Sequence, residues 1–243
     1  MDLVKNRKND SQNFQYICAD VTKETEAIKM FEDIPCPDYV FTCAGAAKPG
    51  KFIEQPTKDF EDGMQLNYFG TLYVLKAAAK RMKSTNTQGT LAMTSSTAGY
   101  LSFYGYSQYS PSKYALRALA DCLRQELSEF GIKVHCYFVS TIDTPGYQKE
   151  CETKPAITHA IEGPPDSNSS PEQRAKTFIK GILNDEFCIT SDFLTDVLRV
   201  TSHGCQPTNY LVWDLAISHF GWFITLPFSL YMDFLTRRKT KTE

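Results

Sequence analysis

The residues of this sequence best suited to chemistry are a tyrosine and a lysine four residues apart, Tyr109 and Lys113. At this spacing on a helix, the two side chains share one face and lie about one turn apart. A tyrosine alone is a poor acid at neutral pH, because its reference pKa is about 10. A neighbouring ammonium favours the phenolate and would lower that pKa towards the working range. We therefore expect this pair to transfer a proton.

A serine upstream of the pair extends the same chemistry. Ser96 follows an apolar, strand-like run, and its hydroxyl could hold a carbonyl oxygen beside the phenol. The three side chains together suit reduction of a ketone, in which a cofactor delivers hydride to carbon while Tyr109 protonates the oxygen. Taken alone, the Y-x-x-x-K spacing has a simpler explanation, a surface tyrosine packed against a lysine stem.

The elements that must position these residues alternate along the chain. Strands are predicted over 15–21, 38–45, 89–96 and 132–139, and helices over 23–34, 57–83, 108–130 and 171–184. Thr22 is expected to cap the first helix. Such alternation predicts an α/β fold, a Rossmann-like doubly wound parallel sheet covered by helices on both faces. Ligands of such sheets bind at the carboxyl ends of the strands, where Gly45, Ser96 and Thr144 fall.

The stretch TSSTAGYLSFYGYSQYSPSK at 94–113 resembles the active-site segment of the short-chain dehydrogenase/reductase family. Ser96, Tyr109 and Lys113 match the serine, tyrosine and lysine of that family in register. Asn67 matches the asparagine of its N-x-x-G motif, which implies that Asn67 holds a water for proton relay. The matches follow the family order across roughly residues 15–146.

The same resemblance implies a nicotinamide cofactor. Thr42-Cys43-Ala44-Gly45 is similar to the family's N-N-A-G cofactor turn, Asp20-Val21 is similar to its adenine-contacting D-V, and Thr144 falls at the position of a nicotinamide-contacting threonine. The cofactor-binding residues implied in this way are Asp20, Val21, Cys43, Ala44, Gly45, Tyr109, Lys113 and Thr144.

The sequence departs from the family pattern in two places. Val139-Ser140 replaces a Pro-Gly pair, and no T-G-x-x-x-G-x-G occurs. That glycine-rich turn docks the cofactor pyrophosphate against a helix N-terminus. The family's first two strands lie between its third and fourth, so a strand at 15–21 would have lost both neighbours. We therefore expect a domain at 1–200 that is truncated at its N-terminus, lacks its first βαβ segment and binds cofactor poorly.

Within the family, the likeness is strongest to the 3-ketodihydrosphingosine reductases (3-dehydrosphinganine reductases), and it extends through TKPAITHAIEGPPD at 153–166. It implies NADPH-dependent reduction of the sphingoid base 3-ketosphinganine to sphinganine, at the cytosolic face of the endoplasmic reticulum membrane. Members of the family often form homodimers through two long helices. Two alternatives stay open: an inactive binding or regulatory subunit, and a reductase of another lipid ketone, such as a retinoid or steroid.

Composition narrows the remaining possibilities. A net charge of -2 without a basic patch gives no sign of a nucleic-acid partner. The eight cysteines form no C-x-x-C pair and the four histidines no H-E-x-x-H, so we expect no metal site and reduced thiols. The polar N-terminus does not have the apolar core of a signal peptide.

Residues 207–243 differ from the rest, being apolar and aromatic and then basic. Residues 210–232 are long enough to span a membrane, but Asp214, His219 and Pro227 interrupt them, and a mid-membrane Asp costs roughly 2.5–3.5 kcal/mol. We expect a membrane-associated interfacial or re-entrant helical segment. Its expected headgroup anchors are Trp213, Trp222 and Tyr231, and its expected cytosolic cations are Arg237, Arg238, Lys239 and Lys241. The alternative is a helix packed on the domain or on a partner subunit.

Overall fold

The computed structural model describes residues 15–32, 34–163, 170–202 and 204–239. Within these ranges, the strands are β1 (Tyr39–Thr42), β2 (Thr90–Thr94), β3 (Lys133–Phe138) and β4 (Cys188–Thr190). They form one sheet in the order β1-β2-β3-β4, and each pairs in parallel with the next. The carboxyl ends of all the strands therefore lie at one edge of the sheet.

Ten α-helices lie in the same described ranges. They are α1 (Glu24–Lys29), α2 (Thr57–Met64), α3 (Gly70–Thr85), α4 (Ser110–Glu126), α5 (Pro145–Cys151), α6 (Ala156–Glu162), α7 (Pro171–Leu183), α8 (Phe193–Thr201), α9 (Leu211–Phe220) and α10 (Trp222–Lys239). Local chemistry explains two of the ends. A capping box between Ser170 and Gln173 starts α7, and Gly131, in a left-handed conformation at φ 67, follows α4 and its short 3₁₀ extension.

The sheet has a hydrophobic core on each face. Leu91 and Met93 of β2 are fully buried on the face that α3 and α4 cover. The intervening Ala92 points the other way and packs with Phe178 and Ile182 of α7. Successive strand residues face opposite sides, so an unbroken apolar run is the pattern expected of a strand covered on both faces. The predicted parallel, doubly covered sheet is confirmed.

The predicted strand at 15–21 is wrong, since residues 15–20 have no regular structure and pair with no strand of the sheet. Tyr16 and Ile17 are 48% and 44% exposed there. An apolar run becomes a strand only where a neighbouring strand accepts its backbone hydrogen bonds. Thr22 is not the helix cap either: its backbone and hydroxyl groups donate to Asp20, and α1 begins two residues later.

The helix predicted over 57–83 is two helices, α2 and α3, joined by a π-helical turn over Gln65–Phe69. Such turns are rare and occur frequently at functional sites. Asn67 lies in the middle of this turn and is fully buried. The π-helical turn therefore contains Asn67, one of the four predicted catalytic residues.

At the C-terminus, α9 and α10 meet at a bend of 47°. In the described part of the chain, no single helix has both the length and the hydropathy of a membrane span, although this bent pair together meets those criteria. Asp214 of α9 does not interrupt an apolar surface, because it is 3% exposed and binds Arg199 of α8 through two hydrogen bonds of 2.6 and 3.0 Å. Helix α9 thus packs on the domain through an ion pair.

Candidate active site

Tyr109 and Lys113 lie at the start of α4, beside the carboxyl end of β2. Tyr109 is the residue before the helix and is half-buried, whereas Lys113 is 4% exposed. The Lys113 ammonium lies 5.4 Å from the centre of the Tyr109 ring. It donates a hydrogen bond of 3.1 Å to the backbone oxygen of Thr94, the last residue of β2. The sequence spacing therefore becomes a spatial pair held against the sheet edge.

Asn67 connects the π turn to this pair and to the loop after β1. Its amide donates to the Ala46 oxygen at 3.0 Å and accepts from the Ala46 nitrogen at 2.9 Å. The same amide donates at 3.1 Å to Ser112, whose hydroxyl donates to the Tyr109 backbone oxygen at 2.7 Å. These bonds use both amide hydrogens of Asn67 and one of the two lone pairs of its amide oxygen, and its predicted role in holding a water stays a prediction.

Ser96 approaches Tyr109 from the strand side. It begins a short 3₁₀ turn, in which its hydroxyl accepts from the Ala98 nitrogen at 3.1 Å. The Ser96 hydroxyl also lies close enough to the Tyr109 phenol to lower the pKa of that phenol. Serine and phenol thus share the place where a carbonyl oxygen could accept two hydrogen bonds.

Burial sets the electrostatics of the pair. It lowers the pKa of Lys113 from 10.5 to about 8, because a charged ammonium is poorly solvated there. Burial also raises the pKa of Tyr109 above its ordinary value, the Ser96 hydrogen bond opposes that rise, and the charges of Glu150 and Glu162 add to it. The expectation that the neighbouring ammonium gives Tyr109 a lowered pKa is therefore wrong for this arrangement.

The residues after β1 leave room beside the ammonium. A Cβ atom at Gly45 would lie 3.0 Å from Asn67 Oδ1 and 3.5 Å from Lys113 Nζ, so glycine keeps this space open. Cys43 and Ala44 are exposed. An ammonium has three donors, and in the described part of the chain the Thr94 oxygen takes one of those of Lys113. This open, donor-lined space fits the ribose and nicotinamide end of the expected cofactor.

The other predicted cofactor residues lie apart from this space. The Asp20 carboxylate accepts from Thr22 at 3.0 and 2.6 Å, which holds its pKa below the usual value. Val21 packs against Gly70 at the start of α3. Thr144 caps α5, its hydroxyl accepting from the Tyr147 nitrogen at 3.2 Å. The structure does not bring these three together with Lys113, and their roles stay predictions.

Sequence reasoning missed a polar cluster beside Tyr109. It consists of Tyr106, Glu150, Lys154 and Glu162, and the Tyr106 and Tyr109 rings have centroids 5.8 Å apart. Its members come from the loop before α4 and from the region of α5 and α6, segments without strong periodicity. Three glutamates and a lysine within the segment 150–162 were the available signal, but only the folded loop brings two of the glutamates, Glu150 and Glu162, to Tyr106.

Comparison with known proteins identifies the family. A family model described as short chain dehydrogenase matches residues 1–155 of the 243. The chain belongs to the short-chain dehydrogenase family. The match includes the alternating strands and helices of residues 39–126 and the segment that contains Ser96, Tyr109 and Lys113.

Among curated relatives, the chain is similar to the 3-ketodihydrosphingosine reductases of two organisms. It is 41% identical to that of Dictyostelium discoideum over 182 residues, covering 74% of this chain and 54% of the relative. It is 36% identical to that of Cryptococcus neoformans over 210 residues, covering 84% of this chain and 62% of the relative. The chain thus spans less than two thirds of the length of either relative.

Solved structures agree on the fold. A short-chain dehydrogenase/reductase from Burkholderia phymatum in complex with NAD superposes with a TM-score of 0.64 at 18% identity, over 76% of this chain and 73% of that one. The structure of ElxO with NADP bound has a TM-score of 0.50 at 28% identity, over 55% of each chain.

Proposed function

We propose that this chain carries the catalytic residues of an oxidoreductase that reduces 3-ketosphinganine to sphinganine with NADPH. The observation that carries the proposal is the convergence of Ser96, Tyr109 and Lys113 at one strand end, with Asn67 beside them. Similarity to 3-ketodihydrosphingosine reductases supports the substrate, and the NADP-bound relative supports the cofactor.

NADPH, when bound, supplies the hydride that adds to the ketone carbon. Ser96 and Tyr109 then orient the ketone oxygen by hydrogen bonds, and the Tyr109 hydroxyl donates its proton to that oxygen, which gives the alcohol. The Lys113 ammonium, 5.4 Å from the centre of the Tyr109 ring, brings positive charge to the part of the site where the phenolate forms, although burial of the phenol outweighs it before the substrate binds. Asn67 and Ser112 fix the start of α4, so that the phenol keeps its position.

The decisive experiment measures NADPH oxidation with 3-ketosphinganine. We expect Tyr109→Phe to lower kcat at least roughly 100-fold, because general acid catalysis contributes about that much. Tyr114→Phe is the matched control, since this tyrosine of α4 donates to the Tyr100 backbone oxygen at 2.6 Å. Equal activity of Tyr109→Phe and the control would refute the proposed role.

The two alternatives predict different results in the same assays. A binding or regulatory subunit would show no turnover with any ketone, and calorimetry would detect no NADPH binding. A retinoid or steroid reductase would oxidise NADPH with those ketones and not with 3-ketosphinganine. Two acidic side chains near Tyr109, Glu150 and Glu162, favour a cationic amino ketone over these neutral compounds.

We further propose that α9 and α10 lie at the cytosolic face of the endoplasmic reticulum membrane. The exposed apolar residues of the pair support this location, with Val212, Trp222 and Phe223 at 82%, 65% and 77% exposed. A basic sequence, RRKTK, follows them and suits anionic headgroups. The indole of Trp213 donates to Asp196 of α8 at 2.7 Å, and its role as a headgroup anchor stays a prediction.

A homodimer through α3 and α4 is the quaternary structure that we propose. A groove of about 380 Å³ runs between these helices. Its lining includes the apolar residues Leu72, Leu119, Leu123 and Phe130 and the charged residues Lys76, Lys80, Lys83 and Glu126. Pairing would bury a carboxylate placed among the apolar residues, so we expect Leu119→Glu to sediment as a monomer where the wild type sediments as a dimer. A monomeric wild type would exclude this arrangement.

A further inference from the structure

The polar cluster beside Tyr109 supplies no group to the hydride transfer and the proton transfer described above. The Tyr106 hydroxyl donates to Glu150, and it lies 3.2 Å from Glu162. The Lys154 ammonium lies 3.0 Å from Glu150 and 2.5 Å from Glu162. One phenol and one ammonium thus bridge two carboxylates.

The cluster is attached to the catalytic edge of the sheet on two sides. The Tyr106 ring lies against the Tyr109 ring, with centroids 5.8 Å apart. The Thr141 hydroxyl, in the loop that follows β3, donates to Glu162 at 2.5 Å. The two carboxylates are therefore fixed between the proton donor and the loop after β3.

The charges of the cluster do not balance. Two carboxylates face one ammonium, and Tyr106 stays neutral because burial and both carboxylates raise its pKa. The Glu150 and Glu162 side chains are only 18% and 14% exposed, so water compensates the extra negative charge poorly. Within the described chain, both partners of Glu150 bind its Oε1, which leaves Oε2 as an acceptor.

We propose that Glu150, held by Tyr106 and Lys154, binds the protonated amine of an amino-ketone substrate. The proposal rests on the proposed function, and similarity to 3-ketodihydrosphingosine reductases supplies an independent reason for such a ligand. In 3-ketosphinganine, the amine is on the carbon next to the ketone carbon. A ketone oxygen at Tyr109 therefore brings the ammonium within reach of this neighbouring carboxylate, and an N–H⁺···O⁻ hydrogen bond is among the stronger kinds.

The bound amine would also assist the proton transfer. The charges of Glu150 and Glu162 oppose loss of the Tyr109 proton, as does burial of the phenol. An ammonium placed beside the carboxylates offsets their field, so the phenolate forms more readily. The amine thus contributes to turnover as well as to binding, and an amine-free ketone of the same length obtains neither benefit.

The test compares Glu150→Gln with the wild-type full chain on two ketones, a short-chain analogue of 3-ketosphinganine and the same ketone with hydrogen in place of the amine. We expect kcat/KM for the amino ketone to fall roughly tenfold or more, the scale of one charge-assisted hydrogen bond. We expect kcat for the amine-free ketone to stay equal or rise. Glu152→Gln, an exposed carboxylate of the same segment, is the matched control and should change neither value.

A loss of the same size on both ketones would show a structural role for Glu150 and overturn the proposal. Unchanged values on both would overturn it as well. If the wild type reduces neither ketone, the proposed function fails separately, and calorimetry with sphinganine and the matched amine-free diol decides about the amine site. In that measurement, Glu150→Gln must lose affinity for sphinganine and keep its affinity for the diol. Equal affinities of the variant and the wild type for sphinganine would refute the site.

Discussion

The buried surroundings of Lys113 disfavour the charged form of its ammonium. Burial lowers its pKa from 10.5 to about 8. The folded protein therefore releases the lysine proton at a lower pH than the unfolded chain does. Between these two values the unfolded chain binds more protons, so the contribution of Lys113 to folding stability rises with pH. Below the lower value both states are protonated, and that contribution is constant.

Lys113→Met should remove this pH dependence. We expect the free energy of unfolding of the wild type, relative to the variant, to rise by up to about 3 kcal/mol across that pH range. Urea denaturation at a series of pH values measures the difference, and the other titrating groups largely cancel because both proteins have them. A difference that stays flat with pH would contradict the lowered lysine pKa.

The sequence predicts part of the site because part of it is set by local geometry. Tyr109 and Lys113 are one helical turn apart, and Ser96 follows a strand, so a parallel sheet brings them to one edge. The pKa of Tyr109 depends on burial, which spacing does not reveal. Glu150 and Glu162 reach the site only through the path of a loop, which has no periodic pattern to predict it.

At the scale of the elements, one ion pair attaches the C-terminal helices to the domain. Asp214 of α9 and Arg199 of α8 are 3% and 1% exposed, and Arg199 also donates to Asp196 at 2.7 Å. Removing one partner of a buried pair leaves the other charge without compensation. The pair is therefore a point where a single substitution should loosen α9.

We expect Asp214→Ala to lower the free energy of unfolding by about 3 kcal/mol, because Arg199 stays buried with one partner fewer. Asp233→Ala is the control, since its pair with Arg237 is 3.9 Å long and exposed, and its loss should cost less than about 0.5 kcal/mol. Chemical denaturation measures both. Equal effects would show that the Arg199–Asp214 pair contributes no more than a surface contact.

The elements show where reasoning from the sequence alone fails. The strand predicted at 15–21 has suitable residues, but a strand forms only with a neighbour, and neighbours depend on the whole sheet. In the sequence, Asp214 was predicted to interrupt an apolar surface. In the structure it is buried, because it pairs with Arg199 of another helix, and the sequence around Asp214 does not reveal that partner. In contrast, β1, β2 and β3 were predicted to within a few residues, because unbroken apolar runs depend only on local sequence.

At the scale of the molecule, the apolar helices and the catalytic edge belong to one packed unit. Helix α9 packs on α8, and α10 packs on α6, the helix that ends with Glu162. If these helices lie on a membrane, the loop region around the amine site faces the source of a lipid substrate. A fixed attachment would then hold the site at a constant distance from the bilayer surface.

Flotation with vesicles of phosphatidylcholine and phosphatidylserine tests the membrane proposal. We expect Phe223→Asp to reduce the floated fraction, since moving a charge into the apolar region costs roughly 1–3 kcal/mol. Leu183→Asp is the matched control, because Leu183 is 76% exposed on α7, and Phe223 is 77% exposed on α10. Equal loss in both variants, or no flotation of the wild type, would contradict the proposal.

The π turn at Gln65–Phe69 has a consequence for the helical phase. A π turn contains one residue more than an α turn, so it rotates everything after it by about 100° relative to an unbroken helix. The buried residues of α3, which include Val74, Ala78 and Met82, face the core only because of this extra rotation. Deleting one residue of the turn would restore regular winding and turn these residues away from the sheet. An insertion or deletion here is therefore far more disruptive than a substitution.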